Sequence, residues 1–311
     1  MSEILLGTKW VLAKRSAIQG DLSARHYQRL TVVSGETAIL MDASRQPETI
    51  KPFFEITEWL RSFGLSAPEI FISGEDTLLL EDFGDLKLAE LTGETKASGY
   101  ALCLELLLAL RRAAPPKLMT PSASELASWT QIARDYPGAD SDQISVFSSY
   151  LETKLQDLLV GANSVSLRDF HADNIMWLDG KDGKQKLGLL DYQDAFLTHP
   201  VYDLVSLLTD ARTDISPEFR HSMIEEYISL SGDDPTEWRK AFALFSAQRN
   251  LRILGIFAKA AQSGKPHHIA KLPCVYSYFV EALQHPVFDP VRDATLSALP
   301  FPNETLINSL R

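Results

Sequence analysis

The sequence predicts an α+β protein in which a small β-rich N-terminal body with one helix precedes a larger, mainly helical body. Three observations carry this expectation. Apolar runs around short glycine-containing loops fill roughly the first 80 residues, long segments of helical spacing run from Leu86 onward, and one group of short apolar strands interrupts them between Ser164 and Asp191.

Leu30 to Val33 and Thr37 to Met41 are β-branched or apolar runs around Ser34-Gly35-Glu36, where glycine can take positive φ and reverse the chain, so a hairpin is expected. Pro52 to Phe63 sets Phe53, Phe54, Ile56, Trp59, Leu60 and Phe63 at helical spacing, with Gly64 as the stop. Pro68 to Ser73 and Thr77 to Glu81 flank Gly74-Glu75-Asp76 as a second hairpin, giving about four strands and one helix in this body. Further on, Tyr100 to Arg112 ends in two arginines ahead of Pro115-Pro116, and positive charge suits a helix C-terminus. Ser122 with Glu125 resembles a capping box, and Ser216-Pro217-Glu218 opens another helix with proline in its first turn. Within the interruption, Val165 to Leu167, Ile175 to Leu178 and Leu187 to Leu190 read as short strands. The expected division is a sheet lobe with one helix over 1–84 and a mainly helical lobe over 85–311.

A chain of 311 residues accommodates two packed bodies of ordinary size. Hydrophobic residues at 45% and charged ones at 23% exclude wholesale disorder and collagen-like architecture. The formal net charge of −11 argues against nucleic acid or an anionic bilayer as partner and favours a small-molecule ligand. Cys103 and Cys274 have no partner spacing, so no disulfide framework or cysteine zinc site is expected. Ile4 to Leu6 gives way at once to Gly7-Thr8-Lys9, and the apolar run Ala101 to Leu110 contains Glu105 and falls short of the ~20 residues of a membrane span. A cytoplasmic protein without leader or span is expected.

The informative segment is the polar loop between the short strands. Leu167-Arg168-Asp169-Phe170-His171-Ala172-Asp173-Asn174 places an Asp and an Asn five positions apart, and Leu189-Leu190-Asp191 ends an apolar strand in a third oxygen donor. Mg²⁺ prefers one or two carboxylates plus phosphate oxygens, and an Asn amide adds an oxygen without another negative charge. A neighbouring Asp outside the metal shell can accept the proton of an attacking hydroxyl, which in-line phosphoryl transfer requires.

Asp169, Asn174 and Asp191 in this arrangement resemble the catalytic and metal loops of the aminoglycoside phosphotransferase and choline kinase group, which shares the protein-kinase-like two-lobed fold. The resemblance covers most of the chain. It implies Asp169 as catalytic base, Asn174 and Asp191 as Mg²⁺ ligands, ATP as phosphoryl donor, and Asp203 in Pro200-Val201-Tyr202-Asp203-Leu204 as a structural acid holding the catalytic loop through its amides. A closer likeness is to bacterial cell-wall sugar kinases that phosphorylate the anomeric hydroxyl of N-acetylmuramate and N-acetylglucosamine. It rests on Arg168 to Asn174, on Gly188-Leu189-Leu190-Asp191-Tyr192-Gln193-Asp194-Ala195, and on Asn250 to Phe257 followed by Gly264-Lys265-Pro266.

The chain also departs from the group's pattern. The strand Thr37 to Asp42 lacks the lysine that normally pairs the α and β phosphates, and Met41 stands in its place. Arg25, in the loop Gly20-Asp21-Leu22-Ser23-Ala24-Arg25, could supply that charge, and Lys51 is a second candidate. Gly20, Ser23 and Arg25 are therefore expected on the phosphate side of the nucleotide, with main-chain atoms near Glu81 to Phe83 meeting adenine. Asp82-Phe83-Gly84 spells the protein-kinase metal motif, but it precedes Asp169 by 87 residues and cannot serve as a metal loop that follows the catalytic one. Leu167 stands where related enzymes usually carry His, which is expected to be a packing difference.

On the acceptor side the candidates are His171, Asp194, Arg249 and Arg252. Arg249 and Arg252 lie three apart on a helical segment and share a face, which touches either an anionic acceptor or an acidic surface. His171 orders the loop or, with Asp173, forms half of a metal pair that lacks further ligands. The expected activity is ATP-dependent phosphorylation of a hydroxyl on a small molecule such as an amino sugar. The rivals are an aminoglycoside or choline-type kinase, a catalytically silent nucleotide-binding pseudokinase suggested by the missing lysine, and a metal hydrolase built on His171 and Asp173.

Overall fold

The computed structural model describes residues 3–18, 25–213 and 215–310. The first elements are β1 (Lys14–Ile18), β2 (His26–Thr31), β3 (Thr37–Asp42), α1 (Ile50–Ser62), β4 (Ile70–Ser73), β5 (Thr77–Glu81) and α2 (Gly93–Arg112). Next come α3 (Ala123–Ser128), α4 (Ser141–Leu158), β6 (Ser164–Ser166), β7 (Ile175–Trp177), β8 (Leu187–Leu189) and β9 (Phe196–Thr198). Helices close the chain: α5 (Val201–Leu208), α6 (Pro217–Ser231), α7 (Pro235–Gln262), α8 (Leu272–Leu283), α9 (Arg292–Ala298) and α10 (Glu304–Ser309).

Two compact units result, one of Met1–Cys103 with Asp173–Ala195, the other of Leu104–Ala172 with Phe196–Arg311. The β7–β8 hairpin bonds to the sheet unit's own backbone. Leu189 donates to the Ser66 carbonyl at 2.8 Å and Trp177 to the Leu86 carbonyl at 2.7 Å.

In the first unit an antiparallel sheet runs in the order β1-β2-β3-β5-β4. The β2–β3 hairpin pairs Thr31 with Thr37, and Gly35 turns it at φ +89°. Five strands stand where about four were expected. The additional one, β1, is an edge strand exposed along its whole length, so its sequence Lys-Arg-Ser-Ala-Ile carries no buried face to read. Leu5, Trp10, Leu30, Ala38, Leu40 and Leu79 pack as one core on the sheet, while α1 buries Phe53, Ile56, Thr57 and Leu60. Phe83, on the connection leaving β5, lies against β8, where a Cβ added to Gly188 would come within 2.7 Å of its ring.

In the second unit α7 buries residues on all sides and packs against α5, α8 and the 3-10 turn Trp129–Asp135. Gly255 makes the last contact: a Cβ there would lie 2.4 Å from the backbone C and O of Ile132. The Ser122–Glu125 capping box forms in full, and Ser216 caps α6 by accepting the Phe219 amide. The helix expected from Tyr100 begins seven residues earlier, at Gly93, since its first two turns are too polar to show apolar spacing. Strand β9, which pairs with β6, was not anticipated. Among the described residues no helix is long and apolar enough to cross a membrane.

Candidate active site

The loop that carries Asp169 is held from below by Asp203 on α5, which is 2% exposed. Its carboxylate accepts hydrogen bonds from Ser166 Oγ at 2.7 Å, from the Leu167 amide at 2.6 Å and from the Arg168 amide at 3.1 Å. Burial pushes the Asp203 carboxyl up to about 6, against the downward pull of those three donors. Ser206 Oγ donates to the Arg168 carbonyl at 3.2 Å, and the Asp169 amide donates back to the Leu167 carbonyl at 2.8 Å. These bonds fix a tight turn with Arg168 at φ +70° and the half-buried Asp169 next to it. Leu167 is buried in the core, where a larger polar ring would need a partner of its own.

His171 is buried with Nδ1 3.8 Å from the Asp210 carboxylate, and Arg212 reaches the same acid at 3.2 Å. Among the described residues no group of three or more His, Cys, Asp or Glu side chains could hold a metal ion. Arg249 and Arg252 both project from α7, and the Arg252 guanidinium lies 5.3 Å from the centre of the Trp129 ring. Asp173, in the sheet unit, has Lys87 at 3.7 Å.

In that unit the β7–β8 register pairs Ile175 with Leu189, and the Leu190 amide donates to the Asn174 carbonyl at 3.0 Å. Asn174 and Asp191 therefore stand at one end of one hairpin, and Asp191 takes φ +56°. Gln193 Nε2 donates to Asp191 Oδ1 at 2.9 Å and approaches Asp194 at 3.4 Å. Arg25 Nη1 in turn donates to Gln193 Oε1 at 2.9 Å and lies 4.0 Å from Asp191 Oδ1. Tyr192, between them, is anchored on α1 by a 2.7 Å hydroxyl pair with Thr57 and by stacking on Phe53 at 5.1 Å. An amide oxygen and a carboxylate at one hairpin end are hard donors, and the donor set fits Mg²⁺.

The remaining candidates sit as follows. The Glu81 amide is committed to the Glu69 carbonyl at 2.8 Å, and Phe83 rests on Gly188. Asp82 is clamped by Arg29 at 2.6 Å and 3.0 Å, which occupies its carboxylate. Lys51 forms a surface pair with Glu55 at 3.8 Å on α1. Gly20 and Ser23 lie outside the described residues. Sequence reasoning assigned no role to Gln193 or Thr57, since a lone Gln or Thr carries no motif; their meaning comes from the partners the fold brings to them.

Among the described residues only Arg168 and Asp191 are non-glycine residues at positive φ. Such backbone costs roughly 1–3 kcal/mol unless the surroundings impose it, and it gathers at functional sites. Both instances fall in the segments singled out for chemistry.

A five-stranded sheet with one packed helix, a hairpin ending in an acid, and a helical unit with an amide-anchored Asp loop define a protein-kinase-like phosphotransferase. The model of the phosphotransferase enzyme family matches residues 14–241, and the chain belongs to that family. It is a small-molecule phosphotransferase. It is 28% identical to the N-acetylmuramate/N-acetylglucosamine kinase of Caulobacter vibrioides, over 85% of this chain and 86% of that protein. Against the kinase of the same description from Neisseria meningitidis serogroup B it is 24% identical, over 83% and 82% respectively. Among solved structures, a choline/ethanolamine kinase family protein from Mesorhizobium loti superposes with TM-score 0.65 at 11% identity, covering 94% of this chain and 95% of that one. Amicoumacin kinase in complex with AMP-PNP, Ca²⁺ and its Ami ligand gives TM-score 0.63 at 14% identity, covering 88% and 90%. At these identities the solved structures speak for the fold.

Proposed function

We propose that the protein transfers the γ-phosphoryl group of ATP to a hydroxyl of an amino sugar of the N-acetylmuramate or N-acetylglucosamine kind, in the cytoplasm. The observation that carries this reading is the left-handed backbone at Arg168 and Asp191, one preceding the proposed base and the other being the proposed metal ligand. The sugar kinases it resembles over most of its length support the acceptor class. The AMP-PNP held by amicoumacin kinase, which shares the fold, supports ATP as donor.

Asp169 takes the proton of the acceptor hydroxyl as its oxygen bonds to the γ-phosphorus and the bond to the β–γ bridging oxygen breaks, releasing ADP. Asn174 and Asp191 would hold Mg²⁺, which would neutralise charge on the phosphates. Arg25 takes the part of the missing strand lysine, and Gln193 keeps its guanidinium turned toward Asp191. Asp203 is a positioning residue, acting through the loop amides. Nucleotide contacts come from residues 1–84, through Gly20, Ser23, Arg25, Glu81 and Phe83, and acceptor contacts from residues 85–311, through His171, Asp194, Arg249 and Arg252.

The test is phosphate transfer from Mg-ATP by purified protein to a panel of amino sugars, choline and aminoglycosides. Turnover confined to amino sugars is expected. Turnover on choline or an aminoglycoside in their place would overturn the acceptor assignment.

A further inference from the structure

Among the described residues, the buried arginines Arg220 and Arg25 each have a side-chain partner for a guanidinium nitrogen. Arg220 meets Glu281, and Arg25 meets Gln193 and Asp191. Arg249 differs from them among the described residues. It is 5% exposed, its Nη1 has no hydrogen-bond partner among the described residues, and no carboxylate among them forms an ion pair with it or with Arg252. A buried guanidinium without a counter-charge is costly, and the cost grows when like charges are neighbours.

Arg252, three residues further along α7, is a like charge within electrostatic reach of Arg249, and a third arginine gathers at the same ring. The guanidinium groups of Arg252 and Arg168 lie 5.3 Å and 5.8 Å from the Trp129 ring centre. Burial and the charges of Arg168 and Arg249 push Arg252 below the ordinary arginine range, and Asp169 lies within electrostatic reach of it. The close approach at Gly255, one turn after Arg252 on α7, seats the helix on the backbone of the turn that carries Trp129. This collection of positive charge is therefore built into the packing of the unit, and it lies beside the residue that meets the acceptor hydroxyl. Arg252 and Trp129 are half-buried, so the group is reachable from solvent.

We infer that Arg249 and Arg252, backed by Trp129, form a carboxylate-binding subsite beside Asp169 that makes the enzyme favour an acidic amino sugar over its neutral counterpart. The inference rests on the proposed amino-sugar kinase activity. A guanidinium supported by an aromatic ring keeps its planar edge for two parallel N–H···O bonds, which match a carboxylate. N-acetylmuramate carries such a carboxylate and N-acetylglucosamine does not, so the arginines distinguish two acceptors that offer the same reacting hydroxyl.

The experiment compares kcat/KM for N-acetylmuramate and N-acetylglucosamine in wild type, Arg249→Gln, Arg252→Gln and Arg252→Lys, with thermal melting of each protein. Hydrogen bonds to a charged group correspond to roughly 10- to 100-fold in affinity, so the ratio of the acidic to the neutral sugar should fall by about that factor in the Gln variants. Arg252→Lys keeps charge but loses the planar fork, and should recover only part of the ratio. Gln variants that lose activity equally on both sugars, or on neither, would overturn the inference and leave the arginines a packing role. Should a Gln variant fail to fold, the Lys variant carries the comparison, and an unchanged ratio there would overturn it too. Wild-type protein inactive on both sugars would overturn the proposed function itself, a result read before any variant is compared.

Discussion

The Asp203 carboxylate and the Leu167 amide meet at 2.6 Å in the interior of the helical unit, and this bond with its two companions holds the turn that presents Asp169. A second titratable group, half-buried, lies four residues earlier in the same segment. His199 Nδ1 accepts the Val201 amide at 3.2 Å, and burial lowers the imidazole to about 4.

The two groups bend the pH dependence of stability in opposite directions. Asp203, raised from about 3.8 to about 6, holds a proton in the folded state that the unfolded chain releases, so its contribution falls as pH rises through that window. His199, lowered from 6.5 to about 4, is neutral in the fold where the unfolded chain would take a proton, so its contribution falls as pH drops through its window. Each amounts to about 3 kcal/mol at most, and in wild type they largely offset one another. His199→Asn keeps an acceptor for Val201 and should leave a stability that declines between pH 4 and 6. Asp203→Asn should lose about 2–4 kcal/mol outright, because its amide N–H would face the donors of Leu167 and Arg168, and should decline instead toward acid. Urea midpoints at pH 4.5 and 6.5 check both signs; parallel profiles for the two variants would refute the assignment.

Gly255→Ala should destabilise more than Gly188→Ala. The first places a Cβ 2.4 Å from backbone atoms of Ile132, which must move with their whole turn, whereas the second meets the Phe83 ring at 2.7 Å. Overpacking of this kind costs about 1–3 kcal/mol, with the backbone clash at the upper end or beyond. Denaturant titration of the two variants gives the order directly, and the reverse order would contradict the packing described.

Arg25→Gln should raise the KM for ATP by about 10- to 100-fold while changing the KM for the sugar much less, since the proposed charge-assisted contact to phosphate would be lost. Steady-state kinetics with each substrate varied in turn separates the two. An increase confined to the sugar KM would move Arg25 from the nucleotide to the acceptor.

Much of the fold is legible in the sequence because its signals are local. Gly35 and Gly64 mark the hairpin turn and the helix stop, and both sit at positive φ; the Ser122–Glu125 box and the Ser216-Pro217 start act over three residues. The strands β1 and β9 were not legible, since an exposed edge strand has no alternation and a three-residue strand is shorter than any period. The two amino-terminal turns of α2 were missed because Gly93 to Gly99 carries too few apolar side chains to mark a face. Of the proposed site, Asp169, Asn174 and Asp191 are put forward on spacing and resemblance. The bridge from Arg25 through Gln193 to Asp191, and the placement of Arg252 over Trp129, depend on contacts between residues far apart in the chain, and no window of sequence contains them.

The role of Asp169 is tested most directly by Asp169→Asn, which keeps the size of the side chain and removes its basicity. With Mg-ATP and N-acetylmuramate, phosphate transfer followed by ³¹P NMR should fall by a factor of about 10² to 10⁴, the usual contribution of a general base, while the melting temperature stays close to that of wild type. Transfer at the wild-type rate by the folded variant would contradict the assignment of Asp169 as the group that takes the acceptor's proton.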